Sequence, residues 1–177
     1  MTVEFRKLIG VAGFALTLWL MGCSSGPETE AERQTRWQQG KLTGWELEHG
    51  IGPITDALEI GPVDAARAAQ GRELFIAKCA TCHYLDDRKT GPGLRDVTKR
   101  RSPEYVLNQV LNPEQMGKLH PEGKKLVAQY AQFMTIQGIT PDDARALLDF
   151  LRSEADKPPV PLEQQPGANV PPPPPAN

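Results

Sequence analysis

Cys79-Ala80-Thr81-Cys82-His83 decides how this chain is read. Side chains at i and i+3 of a helical turn share a face, so both thiols can add to the two vinyl groups of one haem. The histidine follows the second cysteine directly, and its imidazole meets the iron from the same side. The pattern implies one covalent haem c held through Cys79 and Cys82, with His83 as an axial ligand. Other uses of a C-x-x-C pair fit less well. A zinc knuckle needs further ligands, and only His49 and His120 remain, at unrelated spacings. A thioredoxin-like pair needs a βαβ setting, and no stretch here alternates convincingly as a strand.

Outward from the motif the chain reads as helices and loops. Asp64 can cap a helix running through Cys79, with Ala68, Gly71, Phe75 and Cys79 on one face. Ser102-Pro103 opens a second helix carrying Val106, Leu107 and Val110, stopped at Asn112-Pro113. Residues 122–132 allow a third. Thr140-Pro141-Asp142-Asp143 supplies a cap, a proline in the first turn and acids at the positive dipole end, and Ala144, Leu147, Leu148 and Leu151 follow at helical spacing. The expected fold class is all-α. About 90 residues bury little apolar surface alone, and a haem would supply much of the missing core.

This central region resembles class I cytochrome c over roughly residues 64–153, in a fold of helices wrapped around one haem. Gly71-Arg72-Glu73-Leu74-Phe75 has the glycine and aromatic with which that family crosses its first and last helices. Gly91-Pro92-Gly93-Leu94 resembles the family's Gly-Pro-x-Leu loop, which implies that the Pro92 carbonyl accepts the His83 Nδ1–H and raises the ring's basicity. The family places its second axial ligand in a loop before the last helix, which points to Met134. Thr135 follows where the family has proline, and Met116, also expected in a loop, is the rival. His120, beside Lys118 and Pro121, reads as a surface residue.

The ends have other characters. Arg6 and Lys7 precede an apolar run from Leu8 to Met21, too short to span a bilayer and suited to a signal peptide. Leu20-Met21-Gly22-Cys23 resembles a bacterial lipobox, implying lipid on Cys23 and a periplasmic or cell-envelope protein held at a membrane. The expected organisation is a lipoprotein signal peptide over 1–22, an acidic tether and ordered arm over 23–63, a cytochrome domain over 64–156 and a proline-rich, disordered tail over 157–177. Residues 24–64 hold eight acidic and three basic side chains, and residues 65–156 twelve and fourteen. Nothing is basic enough to suggest nucleic acid. Residues 24–36 read as disordered, making 24–64 a tether of roughly 35 Å as coil and up to about 140 Å extended. Of the basic cluster Arg88, Lys89, Arg95, Lys99, Arg100 and Arg101, the last three are candidate docking charges.

A narrower resemblance covers Glu46-Leu47-Glu48-His49-Gly50-Ile51-Gly52-Pro53, Lys99 to Glu104 and Leu111 to Met116. These stretches are similar to the monohaem lipoprotein cytochromes associated with clade II nitrous oxide reductase. The resemblance implies a single-electron carrier in a periplasmic respiratory chain, not an enzyme. Its donor would be a quinol-oxidising complex or another cytochrome, and its acceptor a periplasmic reductase or terminal oxidase. The alternative is a fixed cytochrome c subunit of a larger membrane respiratory complex.

Overall fold

Thr29, Thr43, Asp64, Ser102 and Thr140 each turn a side-chain oxygen onto the N–H three residues on. These caps satisfy donors that the first turn of a helix leaves without partners. The computed structural model describes residues 26–168. In chain order it contains α1 (Glu30–Gln38), α2 (Gly44–His49), α3 (Ala65–Leu74), a π turn (Phe75–Cys79), α4 (Val97–Arg100), α5 (Pro103–Leu111), α6 (Pro113–Leu119), α7 (Pro121–Tyr130), α8 (Pro141–Glu154) and a 3₁₀ turn (Leu162–Gln164). Among the described residues there is no strand, and the all-α expectation holds. The signal peptide, Cys23 and the Pro171–Pro175 run lie outside the described residues.

α3 and α8 cross where Gly71 removes a side chain. A Cβ there would stand 1.9 Å from the Ala146 carbonyl oxygen. One turn on, the Phe75 and Phe150 rings meet with centroids 5.3 Å apart. Leu107 and Val106 of α5 and Leu147, Leu148 and Leu151 of α8 complete this main core. Arg67 closes its rim with an ion pair to the buried carboxylate of Asp149 at 2.7 Å.

A second, smaller core lies on the other side of α5. Trp37, Ile51, Tyr105 and Met116 are all buried there. The side chains that fasten it repeat at i, i+4 and i+8 along α5. Glu104 accepts the Leu58 N–H at 2.8 Å. Asn108 accepts the Ile54 N–H and donates to the carbonyls of His49, Gly50 and Ile54. Asn112 donates to the Ile51 carbonyl. Residues 49–58 therefore lie on α5, within an ordered arm over 37–63.

Four expectations need correction. Residues 30–36 are helical, not disordered, because Thr29 and Glu32 form a reciprocal capping box and Arg36 grips both Glu28 and Glu46. Met116 sits inside α6, not in a loop. His120 is 1% exposed rather than on the surface. Its Nε2 bonds the Glu46 carbonyl at 3.1 Å, and its Nδ1 accepts the Glu122 N–H. Residues 157–168 are tied to the domain rather than free, since Gln165 is buried against the segment that follows His83, although most of their other side chains are exposed.

Candidate functional site

The π turn extends α3 to Cys79, and the Ala80 N–H closes it by bonding the Phe75 carbonyl at 2.8 Å. Both Cys79 and Cys82 are free thiols, half-buried, on consecutive turns of backbone. Burial pushes the Cys79 thiol up to about 12, with the neighbouring Cys82 contributing. Thioredoxin-type cysteines need the opposite, a stabilised thiolate. No group of three metal-ligating side chains exists among the described residues.

His83 follows with its Nδ1 2.9 Å from the Pro92 carbonyl oxygen. That leaves Nε2 as the free lone pair. Burial lowers the ring's basicity towards protons, against the opposing effect of the Pro92 bond, so the imidazole is held neutral. Gly91 passes directly beneath the ring, and a Cβ at that position would lie 2.4 Å from His83 Cε1. The loop is tied at its base by Leu94 N–H to the Tyr84 carbonyl and Arg95 N–H to the Leu85 carbonyl. Two thiols, one oriented neutral imidazole and a glycine-made cradle beside it fit a haem c.

The two methionines fall in different surroundings. Met116 is fully buried in the smaller core, and its sulfur accepts the Ile51 N–H at 3.2 Å. Met134 is half-buried in the segment joining α7 to α8. Lys78, one residue before Cys79, donates to the Gln137 carbonyl and ties that segment to the haem motif. Gln109 Nε2 lies 3.6 Å from the Met134 sulfur. Gln109 escaped the sequence reading because a glutamine in a helix carries no pattern of its own. Its place four residues beyond Tyr105 was the sole available hint.

The expected docking charges are already engaged. Lys99 pairs with Asp156 at 2.8 Å, Arg100 with Asp96 at 2.9 Å and Arg101 with Glu122 at 2.6 Å. Arg101 also lies over the Tyr105 ring. Arg95 is buried between Asp86 and Glu154. By contrast, Phe133 and Ile136, flanking Met134, are exposed apolar side chains.

Residues 68–155 match the family described as Cytochrome c. The cytochrome c from Rhodothermus marinus is 45% identical, with a TM-score of 0.59, over 63% of this chain and 96% of that one. The chain belongs to the cytochrome c family. More narrowly it is a class I c-type cytochrome, a haem-based electron carrier with one covalent haem c. An engineered form of the Rhodothermus marinus cytochrome c, Rma TDE, is 44% identical over 63% of this cytochrome and 97% of that chain, with the same TM-score of 0.59. A cytochrome c-553-like protein of Synechocystis sp. is 41% identical over 46 residues, 25% of this cytochrome and 44% of that protein's length.

Proposed function

We propose that this cytochrome is a membrane-anchored carrier that passes single electrons in a periplasmic respiratory chain, with nitrous oxide reductase as its acceptor. Haem, when bound, supplies a one-electron ferric–ferrous couple. Cys79 and Cys82 attach it, and His83 presents Nε2 to the iron while Pro92 holds the opposite ring nitrogen. The single observation that carries this reading is the His83–Pro92 bond over Gly91, directly after the two cysteines, which orients a neutral imidazole with Nε2 free for the iron.

Met134 is the second axial ligand in this reading. Its support is its half-buried position in the segment before α8, tied to the haem motif through Lys78. The sulfur of Met116 already serves as an acceptor in the arm core. With haem bound, a Met134 thioether ligand would favour the ferrous state and a raised potential, suited to a high-potential acceptor.

The named acceptor rests on the narrower resemblance, whose three stretches meet in space. Residues 46–53 bond to Ser102, Asn108, Asn112 and Met116. A lipid on Cys23 would hold the carrier at a membrane surface. Because Lys99, Arg100 and Arg101 are paired with acids, their contribution to encounter is small and salt dependence shallow.

The fixed-subunit alternative is favoured by one observation. Residues 28–63 are folded on the domain and give it little freedom to travel. The test is a stopped-flow mix of reduced cytochrome with nitrous oxide reductase and nitrous oxide. Haem oxidation faster than without the reductase is expected. No acceleration at low and moderate salt would remove this acceptor and leave the electron carrier.

A further inference from the structure

Class I domains can end with the helix that crosses the first, but this chain continues and returns to the haem motif. After α8 it runs to Gln165, which is 3% exposed and uses its whole amide. The Gln165 Oε1 accepts the N–H of Leu85 at 2.9 Å and of Asp86 at 3.0 Å. Its Nε2 donates to Asp87 Oδ2 at 2.6 Å and to the Val160 carbonyl at 3.3 Å. The Val160 N–H in turn donates to Asp86 Oδ2 at 3.1 Å. Asp86 is also held by Arg95, which reaches back to Glu154 at the end of α8.

Most of these bonds converge on residues 85–87, which begin two positions after His83. Leu85 is 1% exposed, so its N–H has no solvent to turn to if Gln165 is lost. The Leu85 carbonyl accepts Arg95 N–H from the far side of the same loop, which carries Pro92. One arm of the loop is thus fixed by the returning segment and the other by the first arm.

We propose that the segment 157–168, acting through Gln165, is a positioning element for the His83 imidazole. It fixes the base of the 84–95 loop so that the Pro92 carbonyl stays within hydrogen-bond distance of Nδ1. The inference rests on the reading of His83 as an axial ligand. A shorter His83–Pro92 bond gives a more basic imidazole and favours ferric iron, so a loosened loop raises the potential.

The test uses the full-length holoprotein and Gln165→Leu, which keeps the volume and removes every bond. Exchange of the His83 Nδ1–H, followed by NMR in the ferrous state, should quicken about tenfold or more, the scale of one lost hydrogen bond. The midpoint potential should rise at unchanged haem content. Lowered thermal stability with wild-type exchange and potential would overturn the proposal, leaving Gln165 a packing residue. If the variant fails to mature, the wild type decides: slow exchange of the Leu85 and Asp86 amides supports the clamp, and fast exchange of both overturns it. Failure of the His83 reading itself would show separately, as wild-type His83 ring signals without haem-induced shifts.

Discussion

The two sides of α5 are built by different means. On the haem side, Phe75 to Leu94 is one contiguous stretch in which cysteines, histidine, glycine and proline stand at fixed spacings. Its key bond spans nine residues, from His83 to Pro92. On the arm side, the contacts are side chain to backbone across 46 to 74 residues, from Glu104 to Leu58 up to His120 to Glu46. The first is specified locally and could form around its haem with little help. The second exists only once α5, α6 and the arm have come together. A family's shared motif can therefore sit beside such an arm without either dictating the other.

The two methionines give the largest separation between the sides. Met134→Ala should admit carbon monoxide and lower the potential, with little change in unfolding free energy. Met116→Ala should cost about 2–5 kcal/mol of stability by leaving a cavity and leave the ferrous spectrum unaltered. Denaturant titration and redox titration of both variants check this, and the reverse pattern would exchange the roles of the two sides.

A smaller effect is expected at Asn108. Asn108→Ala strands the Ile54 N–H and three arm carbonyls, at about 2–3 kcal/mol. Limited proteolysis should then cut within residues 50–63 while the haem spectrum stays as in wild type. A changed spectrum would mean that the arm and the haem site are coupled.

The smallest effect is a difference in acid response. Burial would raise the Glu46 carboxyl, but Arg36, the Thr43 N–H and the Trp37 indole outweigh it and hold it at about 2. Its folded value lies below its unfolded value, so its contribution is full above about pH 4.5 and disappears as pH falls towards about 2. Burial also lowers His120, against its bonds to Glu46 and Leu47. A base depressed by folding stabilises above its unfolded value near 6.5 and loses that contribution as pH falls through it. The arm should therefore loosen in acid before the haem side does. Trp37 and Trp45 fluorescence against haem absorbance across an acid titration measures the order, and simultaneous loss would merge the two sides.

Much of the haem side was legible because its signals are covalent or steric. The cap at Asp64 follows from residue type and position, while the close crossing at Gly71 and the Pro92 acceptor were legible through the resemblance to class I cytochrome c. α8 was equally clear, with Thr140 and Asp143 forming a reciprocal box. The arm was harder to read. Asn108, Glu104 and Asn112 look like ordinary polar positions on a helix, and what they bond is backbone, which has no sequence signature. Trp37, Ile51 and His120 form no period because they come from separate segments. Gln165 was hidden by the prolines around it, which suggest extended, solvated chain, whereas here they leave the glutamine as the segment's main bonding group.

The bond from Glu28 to Arg36 also sets a volume. If a lipid holds Cys23, five peptide steps separate it from the first fixed side chain, a span of at most roughly 17 Å. An extended tether through residue 64 would have allowed about 140 Å. The hemisphere that the domain can sweep shrinks roughly 500-fold, since volume follows the cube of the reach. For a partner held at the same membrane surface, the effective concentration rises correspondingly once the two are neighbours. For one diffusing freely through the compartment, nothing is gained. With a lipid on Cys23, the arm would turn the anchor from a long search line into a short stem, and lateral movement of the lipid would become the step that brings donor and acceptor together.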